Sequence, residues 1–372
     1  MMKPRFRALQ PHEQPLCLQL WTQVFSPGED YFVRYFEDPF WKPDYTRVCE
    51  LGGQLVSAVQ IVRRPVRLNG QRVWMAGIAN VATLPEYRGH GFASYLMHEA
   101  HAVIDSEDFL FGLLFTGIQD FYARLGWETL ALPLPVSAPQ PMPLSGDWRF
   151  RAAEPADLPR VQRWHERTYA DHPFTVIRDE AYWRVWLRWA DESWRRNFYI
   201  AECAGEPLGY LAIETHYRRA DDGSRQVEAI SLTEMGMESW EPALVEAMVR
   251  FVNHTAYQAG AESIRWFVSL PEAERFLKPL LPSLVLVVQH HPMVRVGQRE
   301  RLWEAFEQLS GASLPAALER LSVAQSLRLL FGLYGGSNLL DSSDPSDLSD
   351  LPKALKRRYP PRPALFLPAD SF

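Results

Sequence analysis

The sequence predicts an α/β fold with mixed α+β sheets, built as two successive copies of one strand-and-helix unit and finished by a shorter C-terminal segment. Three observations lead there. A strand, a glycine turn and a helix follow one another over residues 78–104, and a second apolar strand, Phe109 to Phe115, comes after the helix. The order of elements that leads up to this group starts again at Trp148. Between the two copies runs a proline-rich stretch containing Pro133, Pro135, Pro139, Pro141 and Pro143, which reads as a connector that breaks periodic structure. The expected divisions are 1–145, 146–290 and 291–372.

Length and composition fit this plan. A chain of 372 residues exceeds one ordinary core, and a hydrophobic fraction of 47% supplies enough apolar surface for two or three. A net charge of −6 argues against a nucleic-acid binder, which would show a basic face, and suits a cationic amine better. Cys17, Cys49 and Cys203 are scattered, odd in number and without metal spacing, so they read as reduced thiols. Met1 to Arg7 carries charge without an apolar core, and no run approaches the ~18 apolar residues of a membrane span. A cytoplasmic protein with no membrane partner is expected.

Taken in order, Phe6 to Leu9 is a first strand, and Leu16, Leu20, Trp21 and Val24 share one face of a helix stopped at Ser26-Pro27-Gly28. A second helix starts at the acids Glu29 and Asp30 and carries the aromatic stripe Tyr31, Phe32, Tyr35 and Phe36, read as core. Glu37 and Asp38 continue its acidic side, read as a solvated face that could also attract a cationic acceptor. Three strands follow, at 47–51, 54–62 and 71–76, with hairpin turns at Gly52-Gly53 and Asn69-Gly70.

The stretch that carries chemistry is Val81-Ala82-Thr83, then Pro85, then Arg88-Gly89-His90-Gly91-Phe92-Ala93-Ser94. Pro85 ends the strand by removing a backbone donor. The glycine turn opening a helix gathers unpaired N–H groups and the positive end of a helix dipole, which is a site for phosphate oxygens. Gly89 and Gly91 lack Cβ atoms, so a pyrophosphate can approach the backbone. The spacing is neither that of a nucleotide P-loop nor that of the dinucleotide fingerprint. Beyond Phe109 to Phe115 come Thr116-Gly117-Ile118 and Phe121-Tyr122-Ala123-Arg124-Leu125-Gly126-Trp127.

In the second copy, Trp148 to Ala153 is a strand, 156–169 a helix, and 181–189 a helix bearing Trp183, Trp186 and Trp189 at core spacing. Strands follow at 197–202, 207–213 and 226–232. The segment Thr233 to Glu241 stands where the turn should be, with one glycine, no arginine and three acids. Carboxylates there would repel pyrophosphate. His290 and His291 are adjacent, so on a strand they point to opposite faces, and no further metal ligand lies at suitable spacing. Met293 to Val296 is a short strand, and 300–309, 314–321 and 322–331 are helical. After the polar linker 341–347 and a basic turn at 351–358, the chain ends on an apolar stretch closing with Phe372, read as a docking tail.

Arg-x-x-Gly-x-Ala after a strand and proline resembles the acetyl-CoA loop of the GNAT N-acetyltransferases, and Phe121 to Trp127 resembles their second motif, where a short helix carries a tyrosine beside the thioester sulfur. Two such folds in tandem, the second degenerate, with a C-terminal segment ending in phenylalanine, look like the Eis family. The resemblance implies acetyl transfer from acetyl-CoA, as co-substrate and without metal, to a primary amine of a small molecule or a lysine side chain, in a possible homo-oligomer. It places cofactor contacts on Val81, Ala82, Thr83, Arg88, Gly89, His90, Gly91, Phe92, Ala93, Ser94, Gly117 and Ile118, a general acid on Tyr122, and a general base on the terminal carboxylate of Phe372. Family members carry a complete sterol-carrier-like domain; here the space between Phe306 and Leu314 is too short for its sheet, which leaves a truncated segment. The alternative reading is a non-catalytic acyl-CoA-binding scaffold, which would bind acetyl-CoA and turn over no amine.

Overall fold

A computed structural model describes residues 3–25, 28–68, 70–144, 146–170, 172, 174–189, 198–220, 223–268, 272–310 and 321–330; of 185–189, 306, 308–310 and 328–330 it describes the backbone alone. Strand β1 (Arg5–Ala8) leads to helices α1 (Gln14–Val24) and α2 (Glu29–Glu37). Strands β2 (Thr46–Leu51), β3 (Gln54–Leu68) and β4 (Gln71–Thr83) form an antiparallel meander, and α3 (Phe92–Ser106) crosses over to β5 (Phe109–Phe115), parallel to β4. Helix α4 (Gln119–Ala123), β6 (Glu128–Thr129) and β7 (Leu132–Ser137) follow.

The order then repeats. It runs β8 (Trp148–Ala152), α5 (Leu158–Tyr169), β9 (Phe174–Val176), α6 (Glu180–Trp189), β10 (Phe198–Cys203), β11 (Glu206–Arg219), β12 (Arg225–Met237), α7 (Pro242–Gln258), β13 (Ser263–Trp266) and β14 (Val285–Gln289). Strand β15 (Pro292–Arg295) and helices α8 (Arg299–Ser310) and α9 (Val323–Leu330) close the described chain.

Two mixed sheets result, so the predicted class is the observed one. The first is ordered β1-β2-β3-β4-β5-β15-β6, with β9 paired beside β3, and the second β14-β7-β13-β12-β11-β10-β8. Strands β3 and β4 are buried on both faces, between α1 with α2 and α3. Leu96, Met97, Ala100 and Ile104 of α3 recur every three to four residues and fill one side, each large one contributing about 1.5–3 kcal/mol. Of the aromatic stripe, Phe32 and Tyr35 are buried as expected, whereas Tyr31 is 41% exposed under the Arg34 guanidinium. Asp38 is corrected: it is buried in an ion pair with Arg64, not solvated or open to an acceptor.

The sheets exchange strands, which hydropathy patterning does not reveal. Pro133 and Pro135, expected to break periodic structure, lie in β7, antiparallel to β14. The two prolines share one phase of the ladder, so the strand can turn both missing N–H groups away from β14, to the side β13 covers only at Val136 and Ser137. Conversely, β15 sits between β5 and β6, antiparallel to both. Its Arg295 guanidinium clasps the Asp105 carboxylate of α3 at 2.7 and 2.8 Å. A Cβ on Gly297 would come within 1.7 Å of that carboxylate, so a larger residue there would displace Asp105 from Arg295. At the start of α9, the N–H groups of Val323 and Ala324 donate to Glu128, a carboxylate at a helix N-terminus.

A second correction concerns Thr233 to Met237, expected as a degraded turn. They continue β12, because Glu234 is neutralised inside the sheet by Arg178. The expected helix 314–321 lies, up to residue 320, outside the described residues, as do the linker, the basic turn and the docking tail with Phe372. No described helix is long and apolar enough to cross a membrane.

Candidate active site

Strands β4 and β5 run together only from Trp74–Phe109 to Gly77–Leu113. Beyond that point, the edge of β4 from Ile78 to Thr83 has no strand partner on the β5 side among the described residues. A break in register at Asn80, between the pairs Gln60–Ala79 and Ala58–Ala82, bends the strand away. Asn80 adopts φ of 51°, a left-handed conformation that asparagine tolerates better than most residues, and its amide donates to the buried Gln60 Oε1 at 3.0 Å. Val81, Ala82 and Thr83 therefore lie on a strand open along one side. Thr83 is anchored on the other by its hydroxyl, 2.8 Å from that of Ser57.

At the end of this strand a short helical turn, Pro85–Tyr87, delivers the chain to Arg88. Arg88 Nε donates to the Thr83 carbonyl at 3.3 Å, so the guanidinium braces the strand end beside the turn. Gly89 and Gly91 have φ of 79° and 78°, and a Cβ at either would meet open space. Gly91 caps α3 in left-handed conformation with no side chain on the exposed donors. The N–H groups of Gly89 and Gly91, and those of Phe92, Ala93 and Ser94 in the first turn of α3, have no partner among the described residues. These donors and the positive end of a fifteen-residue helix thus stand together at one turn. His90 is held by Nδ1 against the carbonyls of Tyr87 and Arg88 and lies near-parallel to Phe92, 5.6 Å between ring centres.

The neighbouring parallel strand β5 ends in a turn of its own. Gly117 is open to space, and Ile118, 64% exposed, precedes α4. Tyr122, on α4, is 7% exposed, meets Phe121 edge-on at 4.9 Å, and donates no hydrogen bond to a described residue. Burial pushes its phenol up to about 12. Behind it, Trp127 Nε1 donates to His101 Nε2 of α3 at 3.0 Å, which leaves the imidazole proton on Nδ1. The Trp127 ring covers Gly112 of β5 so closely that a Cβ there would clash at 2.8 Å.

Burial, reinforced by Arg295 and His98 and partly opposed by Asp105, lowers the His101 imidazole to about 4. A neutral His101 in the fold stabilises the protein above pH 6.5, where the unfolded imidazole is also neutral; that contribution is lost as pH falls toward 4, because only the unfolded chain takes up the proton. His101→Gln keeps an acceptor for Trp127 without titrating. Its melting temperature should fall less between pH 6.5 and 4 than that of the wild type.

The corresponding place in the second sheet is filled. A register break between Leu232 and Glu234 bends β12 as Asn80 bends β4. There Glu234 and Arg178, both with side chains 0% exposed, pair at 2.7 Å, and the Tyr210 hydroxyl donates to the same carboxylate. At the start of α7 stand Glu241, with Ser239 donating to its carboxylate, and Pro242, so carboxylate and proline occupy the end where the first copy has bare donors.

Val81 to Thr83 with Arg88 to Ser94, and Gly117, Ile118 and Tyr122, thus follow the paired stretches of the neighbouring parallel strands β4 and β5, at the same end of the sheet; Phe372 lies outside the described residues. Reading the sequence did not single out Asn80, Gln60, His101 or Gly112, although asparagine inside a run of strand-formers is the one signal that could have found the bend. His290 and His291 are both exposed, and no group of three or more potential metal ligands occurs among the described residues.

Residues 5–130 match the acetyltransferase (GNAT) domain family. No curated protein matches the chain. Among solved structures, a probable N-acyltransferase from Enterococcus faecalis is similar at 20% identity and a TM-score of 0.60, over 81% of this chain and 75% of that one. Eis1 from Mycobacterium abscessus is similar at 14% identity and 0.52, over 82% and 76%. N-myristoyltransferase from Saccharomyces cerevisiae, with bound myristoyl-CoA, is similar at 9% identity and 0.51, over 79% of each chain. At these identities the likeness is one of fold.

Proposed function

Since residues 5–130 form a domain of the GNAT acetyltransferase family, we propose that the protein is an N-acetyltransferase that moves an acetyl group from acetyl-CoA to a primary amine of a small molecule or a lysine side chain. The observation that carries this reading is the bare N-terminus of α3 at the end of the split strand. Its open donors from Gly89 to Ser94 and the empty space over Gly89 and Gly91 fit a diphosphate. In this reading the free edge of Val81 to Thr83 hydrogen-bonds the amides of the pantetheine arm, and Gly117 with Ile118 lines its other side. The coenzyme supplies an acetyl group activated as a thioester.

The protein's own residues then manage protons. An alkylamine is mostly protonated at neutral pH and must lose a proton to become a nucleophile. Tyr122 faces the departing thiolate. A thiol titrates near ~8.5, so complete transfer of a proton from a phenol at about 12 would cost roughly 5 kcal/mol. Tyr122 therefore acts by donating a hydrogen bond to sulfur as negative charge develops, and the thiolate is later protonated by water. In the second copy, the Arg178–Glu234 pair and the acids before α7 oppose a second coenzyme, which favours one site per chain.

The test is release of thiol from acetyl-CoA in the presence of polyamines, aminoglycosides and a lysine peptide. Release with one of these classes is expected. Binding of acetyl-CoA with no thiol released by any of them would favour a scaffold instead. Thiol release from myristoyl-CoA but not from acetyl-CoA would correct the acyl group.

A further inference from the structure

Within the turn at 116–118, the Ile118 N–H donates to the Thr116 hydroxyl at 3.0 Å. The turn is exposed, contains an open glycine, and leads into a helix of only five residues, too short to be stable alone. Further bonds come from outside, from the chain entering β15. The Thr116 N–H donates to the His291 carbonyl at 2.9 Å, extending the β5–β15 ladder one step past the pair Phe115–Pro292. The His291 imidazole returns the bond, Nδ1 lying 3.1 Å from the Thr116 carbonyl. The Gln119 amide nitrogen, at the first residue of α4, bonds the carbonyls of both His290 and Thr116 at 3.2 Å. Pro292 biases His291 toward the extended backbone these contacts need. Three hydrogen bonds to the chain entering β15, and the local bond from Gln119 to Thr116, thus hold the two ends of a turn whose middle is Gly117 and Ile118.

We propose that His291, supported by Gln119, is a positioning residue for the coenzyme turn, carried in on a strand that follows the second copy. This rests on the coenzyme reading above. A carbonyl carries no proton, so Nδ1 is the donor. The second copy, whatever its own ligands, then has a definite role: it delivers the segment that keeps Gly117, Ile118 and the helix of Tyr122 in register with the split edge of β4.

Two variants separate this from a merely structural contact. Asparagine places its amide nitrogen where the imidazole Nδ1 stands and can still donate to Thr116, whereas phenylalanine keeps the ring and removes the donor. His291 is exposed, so both should fold, with melting temperatures near that of the wild type. Amide hydrogen exchange over residues 117–122 in the ligand-free protein should speed up about tenfold in His291→Phe, and the dissociation constant of acetyl-CoA by calorimetry should rise about fivefold, the loss of one modest hydrogen bond. His291→Asn should stay within about twofold of wild type in both. Unchanged exchange in His291→Phe, or equal damage in the two variants, overturns the proposal. If exchange responds as expected in a protein that does not bind acetyl-CoA, the clamp stands and the coenzyme reading alone falls.

Discussion

Gly91→Asp should weaken acetyl-CoA binding at least about a hundredfold while leaving the fold intact. At φ of 78° the position is left-handed, and asparagine or aspartate tolerates that conformation better than other residues with a Cβ. No heavy atom stands within 4 Å of the added Cβ, so nothing in the core must move. The new carboxylate, however, sits at the mouth of the donors from Gly89 to Ser94. It can accept their N–H groups itself, as aspartate does at helix starts, and it opposes a diphosphate at close range. Two like charges ~4 Å apart at an effective dielectric of ~20 repel by about 4 kcal/mol, of which 2.7 already gives a hundredfold. Gly91→Ala brings strain without charge and should cost far less. Equal losses in the two variants would mean that backbone conformation, not anion binding, is what the position serves.

Tyr122→Phe should lower kcat on the order of a hundredfold with the KM for acetyl-CoA changed less than about twofold. The phenol donates no hydrogen bond to a described residue, so its removal leaves no buried partner unsatisfied and the melting temperature should hold. A group raised to about 12 keeps its proton across the working range, so the Tyr122 hydroxyl should add no alkaline limb to the rate below pH ~11. A variant with wild-type kcat would remove Tyr122 from the chemistry. A parallel rise in KM would make it a wall of the coenzyme slot.

Much of this was legible in the residues. Strand propensity up to Thr83, Pro85, the two glycines and the apolar period of α3 are local signals, and each dictates a conformation that tertiary packing only has to accept. The buried ion pairs were not. Asp38 reads as surface and Glu234 as a repelling loop residue until Arg64 and Arg178, distant in sequence, neutralise them. Strand exchange was also hidden, because β7 and β15 are short and find their partners roughly 130 to 180 residues away, where pattern along the chain carries no information. The clamp at His291 depends on that exchange, so it became visible only with the sheet order in hand.

A calorimetric titration of the whole protein with acetyl-CoA tests the central claim most directly. One site per chain is predicted, lost in Gly91→Asp and retained in Tyr122→Phe. No binding, or a second equivalent that survives Gly91→Asp, would contradict the account.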